Sequence, residues 1–199
     1  MRKRMAEPEL FPGGIKKSPE PAEIPSGFEY EQGFLSEKEE GDLLERFQKL
    51  NFTSFNFKGY VAKRRTVEYS FEYDFSTRKA SSTKAIQEFL KSLRENAAKW
   101  AGVAAHEIVE AVITEYPPGA PIGWHRDVPQ FDLIIGVSSA SGCRMRLRPY
   151  KEKGRIVATT LDPRSVYAMC GVAVGIISTA FRPLKALRYS VKKRKNDCG

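Results

Sequence analysis

The feature that most constrains this 199-residue chain is a change of hydrophobic period near residue 108. Before it, apolar residues recur at helical spacing. Ser36 followed by Glu39 matches a capping box, and Leu43, Leu44, Phe47 and Leu50 then predict a helix over about 37–50. Ile86, Phe89, Leu90, Leu93, Ala97 and Trp100 form one stripe and predict a second helix over about 83–101. Beyond 108 the pattern becomes short apolar or alternating segments, at 108–116, 132–138, 143–149, 155–161, 165–169 and 186–192, which read as strands. Pro117-Pro118-Gly119, Ser141-Gly142, Lys153-Gly154, Asp162-Pro163 and Arg182-Pro183 separate them at the spacing of an antiparallel sandwich or jelly roll. The expected fold class is α+β and mainly β, with the two N-terminal helices covering a sheet.

A hydrophobic share of 41% suits one compact core. Residues 1–26 carry five prolines among charged residues and read as a flexible basic tail, leaving a single domain over 27–195 and a short tail at 196–199. Lys and Arg number 33 against 24 Asp and Glu, a net charge of +9 that favours a polyanionic partner such as nucleic acid. Cys143, Cys170 and Cys198 are widely spaced and form no CxxC pair, so neither a disulfide framework nor a zinc cluster is indicated. With no signal peptide and no bilayer-length apolar run, a soluble cytoplasmic protein is expected. The chain has no Walker loop and no GxGxxG, which removes support for nucleotide-hydrolysing and dinucleotide folds.

Between the helices, aromatic residues from Phe52 to Phe75 interleave with Lys58, Lys63, Arg64 and Arg65. Aromatic faces can stack on unpaired bases while cations neutralise phosphates. Alternate aromatics could equally face the core of a hairpin, with the charges in water. Arg64, Tyr69, Phe71 and Tyr73 are the substrate-contact candidates here, joined by Trp124 further on.

His125-Arg126-Asp127 is the sharpest local feature. On an extended segment residues two apart face the same way, so an imidazole and a carboxylate can grip one metal ion. The run Tyr116-Pro117-Pro118-Gly119-Ala120-Pro121-Ile122-Gly123-Trp124-His125-Arg126-Asp127, with Leu161-Asp162-Pro163-Arg164-Ser165-Val166-Tyr167 and Ala186-Leu187-Arg188-Tyr189-Ser190 later, resembles the AlkB family of Fe(II)- and 2-oxoglutarate-dependent dioxygenases, bacterial type. The resemblance covers roughly residues 28–194 and implies a double-stranded β-helix, the jelly roll.

The resemblance also implies roles. His125 and Asp127 match two ligands of a 2-His-1-carboxylate triad. Arg188 matches the clamp on the distal carboxylate of 2-oxoglutarate, a task suited to a planar guanidinium fork. Tyr116 and Thr114, and Ser190 and Arg194, match the other cosubstrate-binding positions, with Thr114 and Ser190 each replacing an Asn. The family's segment before the last strand reads approximately G-x-A-R-x-x-W-x-H-x-I-x-P. Here it is Gly171 to Pro183, and Thr179 stands where the distal histidine belongs. Val174 and Ile177 replace the matching Arg and Trp. His106 is the only other histidine and reads as a surface residue; Cys170 reads as a small buried apolar one.

The implied activity is oxidative dealkylation of alkylated bases with Fe(II) and 2-oxoglutarate, on single-stranded or damaged DNA or RNA, by a monomer. The alternative is an inactive nucleic-acid-binding module on the same scaffold, or a variant altered at the site.

Overall fold

The structure, a computed structural model, describes residues 24–57, 60–74, 79–127, 131–149, 155–171, 177–183 and 186–194. Both expected tails fall largely outside these residues. Along the chain run β1 (Phe28–Glu31), α1 (Glu37–Gln48), β2 (Thr53–Phe57), β3 (Tyr60–Asp74), β4 (Lys79–Lys84), α2 (Lys91–Trp100), β5 (Ile108–Tyr116), β6 (Ile122–His125), β7 (Phe131–Ser139), β8 (Cys143–Pro149), β9 (Val157–Leu161), β10 (Ser165–Cys170), β11 (Ile177–Pro183) and β12 (Ala186–Arg194).

Helix α1 starts where the capping box requires. The Glu39 N–H donates to Ser36 Oγ at 3.2 Å, and the Ser36 N–H donates back to Glu39 Oε2 at 2.8 Å. Helix α2 is shorter than the apolar stripe suggested. Residues 79–84 are taken up by β4, Gln87 is extended, and a single 3-10 turn at Glu88–Leu90 leads into the helix. An apolar stripe continues through such a break, because side chains can face one core from a strand end, a turn and a helix alike.

Two sheets are formed among the described residues. The larger runs β1-β10-β7-β12-β5-β3-β2, with β4 added to β3; the smaller runs β6-β11-β8-β9. From β5 onward the chain passes between the sheets repeatedly, which is the double-stranded β-helix. Strands β6 and β11, too short or too mixed in pattern to be anticipated, supply two of the four strands of the smaller sheet.

Each strand's alternation sorts its residues to two cores. Ala111, Ile113, Ile135, Val137, Val166, Tyr189 and Val191 face α1 and α2 and pack with Phe47, Leu90, Leu93 and Ala97. On the opposite face Phe131, Ile134, Tyr167 and Met169 of the larger sheet meet Met145, Leu147 and Leu161 of the smaller. Burial of each such side chain contributes about 1.5–3 kcal/mol.

Buried Glu40 joins the helix layer to the sheet. It accepts from the Ala140 N–H at 2.9 Å and from Arg164 Nη1 at 3.2 Å. Ala140 and Arg164 are the non-glycine residues with positive φ, at 69° and 61°, among the described residues. One carboxylate therefore holds both strained turns.

Candidate functional site

His125 ends β6, and Thr179 of β11 pairs with it in register; Leu147 of β8 lies on Thr179's other side. Leu147 belongs to the inter-sheet core, so this row borders the interior. Trp124, one residue back, lies on the outer face instead, against Arg146 and Arg148.

The His125 ring is oriented by its own strand. Nδ1 lies 2.9 Å from the Gly123 carbonyl oxygen, and since a carbonyl only accepts, Nδ1 carries the proton in this contact. That tautomer turns the Nε2 lone pair toward Asp127, whose Oδ1 is 3.7 Å away. Two ligand bonds of about 2.1 Å can span up to about 4.2 Å, so both atoms can reach one ion. Among the described residues no group of three or more His, Cys, Asp or Glu is placed to hold a metal. A third ligand at the expected register would have to come from Thr179, and a neutral hydroxyl is a poor ligand for Fe(II). The donor set thus supplies two of the three positions of a facial triad. His106 is exposed on the 3-10 turn at Ala105–Glu107 and supplies nothing here.

On the larger sheet a second row assembles by register. Thr66 pairs with Thr114, Thr114 with Arg188, Arg188 with Ser138, and Ser138 with Ser165. Thr66, Thr114, Ser138 and Ser165 are all buried. Ser138 and Ser165 stand on the same face as Ile134, Tyr167 and Met169, which is the inter-sheet face. Ser138 Oγ is buried and bonded to no described residue. A row of hydroxyls flanking an arginine position, one with an unmet hydrogen-bonding capacity, fits a carboxylate-bearing cosubstrate such as 2-oxoglutarate. Thr66, Ser138 and Ser165 were not singled out from sequence. The only signal was Ser138-Ser139 closing an otherwise apolar run.

The remaining candidates fall as follows. Tyr116 is buried at the end of β5, and its backbone pairs with Ala186. Ser190 pairs with Val112 and Gly136, one step along from the Arg188 row, and Arg194 pairs with Phe131. The side chains of Phe71, Tyr73, Thr179, Arg188 and Arg194 lie outside the described ones. Tyr69 is a correction. It is 3% exposed in the core beneath the helices, where burial also raises its phenol pKa, so it cannot stack on a base. Arg64 is half-buried on β3, while neighbouring Arg65 bonds Glu115 and lies over Phe52. Trp124, a substrate-contact candidate, lies on the outer face with two guanidinium groups over its ring. Cys170 is partly buried and packs against the helix-side core.

Comparison with known proteins bears on the family and the fold. The sequence pattern of the 2OG-Fe(II) oxygenase superfamily matches residues 27–173, ending where the chain departs from the expected metal-binding segment. No curated protein sequence matches. The solved structure of OsALKBH1 superposes with a TM-score of 0.64 at 13% identity, covering 87% of this chain and 100% of that one. The shared fold is the AlkB-like jelly roll. No helix among the described residues is long and apolar enough to cross a membrane.

Proposed function

Because the chain belongs to the 2OG-Fe(II) oxygenase superfamily, we propose that it is an AlkB-like protein of oxidative dealkylation, directed at alkylated bases in DNA or RNA, whose metal centre keeps two of three protein ligands. The observation that carries this reading is the His125–Asp127 pair, with Nε2 and Oδ1 3.7 Å apart beside the inter-sheet core. Iron and 2-oxoglutarate, if bound here, would supply the activation of dioxygen that hydroxylates an N-alkyl carbon, with succinate and carbon dioxide as co-products and the hydroxymethyl group leaving as formaldehyde.

The chain's own contributions are binding and orientation. His125 and Asp127 would hold the metal. Arg188, with Ser138 and Thr114 beside it in register, would bind the distal carboxylate of 2-oxoglutarate by charge-assisted hydrogen bonds. Tyr116, Ser190 and Arg194 complete the candidate set. The apolar residues between the sheets would keep water from the reacting centre. A base in a duplex must be extruded to reach such an interior, so a single strand is the simpler substrate.

Thr179 favours a second reading, in which the scaffold binds nucleic acid and 2-oxoglutarate without turnover. Succinate release from 2-oxoglutarate with added Fe(II), measured for the wild type and for Thr179→His, separates the two. Turnover by the wild type supports the enzyme. Recovery only in Thr179→His identifies the missing ligand as the sole defect. Silence in both folded proteins removes the enzymatic reading.

A further inference from the structure

The outer face of the smaller sheet is chemically unlike the rest of the molecule. Its four strands read Ile-Gly-Trp-His, Cys-Arg-Met-Arg-Leu-Arg-Pro, Val-Ala-Thr-Thr-Leu and Ile-Ser-Thr-Ala-Phe-Arg-Pro. They contain four arginines and no Asp or Glu. Several cations on the larger sheet and beside it do face carboxylates: Arg65 with Glu115, Arg164 with Glu37 and Glu40, Lys192 with Glu110, and Lys193 with Glu107.

Strand alternation explains how three of the arginines are presented. Cys143, Met145 and Leu147 are buried between the sheets, which turns Arg144, Arg146 and Arg148 outward as one file. Arg144 and Arg148 are exposed and Arg146 half-buried. Trp124 braces the upper pair: the Arg146 and Arg148 guanidinium carbons lie 5.0 and 4.3 Å from its ring centroid. Holding two like charges over one ring, with no carboxylate on the sheet, gathers positive potential instead of neutralising it. On the neighbouring strand Arg182 pairs with Arg144 in register.

We propose that this arginine file is a docking track for the phosphate backbone of a single-stranded nucleic acid, separate from the candidate metal pair. Alternate residues of a strand repeat about every 6.7 Å, comparable with the step between neighbouring phosphates in an extended strand. Guanidinium forks can each take one phosphate through paired hydrogen bonds. The track also runs level with the candidate metal pair. Leu147, between Arg146 and Arg148, lies in the same register row as Thr179 and His125, so a strand held on the outer face runs past the level of the candidate metal pair.

The proposal rests on nucleic acid being what this protein acts on, and the experiment keeps the two separable. Binding of a labelled single-stranded oligonucleotide to the full chain is followed by fluorescence anisotropy across a salt series. The wild type is compared with the triple variant Arg144→Gln, Arg146→Gln, Arg148→Gln and with Lys38→Gln on α1 as a charge control. Losing three phosphate contacts, at about 0.7 per contact for a single strand, should make the log–log salt slope shallower by about 2. That corresponds to about a hundredfold weaker binding at 0.1 M salt if the proteins are equal at 1 M. Lys38→Gln should behave as wild type.

Should the triple variant fail to fold, Arg144→Glu alone, at the exposed end of the file, should still weaken binding and flatten the slope. Wild-type binding with unchanged slope in the folded arginine variants overturns the track and leaves the nucleic-acid reading standing. A wild type that binds no oligonucleotide overturns both. Equal competition by polyglutamate would assign the face to an acidic protein and overturn the track.

Discussion

Gly136 tests whether the interior is as tightly arranged as the register implies. It pairs with Tyr167 on one side and Ser190 on the other, one step from the Arg188–Ser138 pair. A Cβ at this position would lie 2.2 Å from Tyr167 Cε1, 2.3 Å from Cζ and 2.5 Å from the phenol oxygen. The ring cannot simply swing aside, because it is stacked on Phe28 with centroids 5.9 Å apart. Gly136→Ala gains about 0.4–1 kcal/mol by restricting the unfolded chain, yet overpacking costs about 1–3 kcal/mol, so the clash should win. At about 2–4 °C per kcal/mol for a chain this size, a fall of several degrees in Tm is expected by scanning fluorimetry or circular dichroism. Tyr167→Ala alone is itself costly, about 3–5 kcal/mol by analogy with other large aromatics. In its background, however, Gly136→Ala should cost nothing further. If the two effects add within about 0.5 kcal/mol, the ring does not lie over Gly136 and the reasoning fails.

Further outcomes follow from other contacts. Glu40→Ala orphans the Ala140 N–H and removes the carboxylate from Arg164, and is expected to cost about 2–3 kcal/mol by denaturant titration. Glu40→Gln should recover part of that loss, and wild-type stability in the alanine variant would contradict the role given to Glu40. Ser36→Ala should cost about 1 kcal/mol of helix capping. Its hydrogen bonds hold the Glu39 carboxyl below its ordinary 4.5, a contribution present above that pH and lost as pH falls through the lowered value. The melting difference between Ser36→Ala and wild type should therefore narrow in acid. Ser138→Ala should weaken 2-oxoglutarate binding by about 10–100-fold in calorimetry if Ser138 Oγ bonds its carboxylate, and an unchanged Kd would remove it from the site.

Much of the fold was legible because the chain separates its signals. The capping box at Ser36 and Glu39 is local chemistry and formed as read. The strand from Cys143 alternates between core and solvent, and those from Ile108 and Ser165 face two cores, which leaves a clear pattern. The edge strand β6 did not, since Ile-Gly-Trp-His carries only four residues and no alternation. Tyr69 misled for a related reason: an aromatic flanked by cations looks the same on paper whether it faces water or helices, and only the pairing of β3 with β5 decides between them.

The site divides along the same line. His125 and Asp127 could be read because metal chemistry constrains two residues two positions apart. Ser138 could not, because its neighbours in the row come from β12 and β10, contributed by residues 50 and 27 positions away. Register also gives Thr179 its weight. A substitution in a variable segment would mean little if it were displaced along the strand, but β11 is pinned on both sides, to His125 of β6 and Leu147 of β8. Sliding β11 by one residue to bring another side chain to that position would reverse its alternation against the core, and sliding it by two brings only Ile177 or Phe181, neither of which can ligate a metal. The position opposite His125 thus belongs to Thr179 by the register of the sheet. A slide of this strand by two residues brings no ligating side chain to that position.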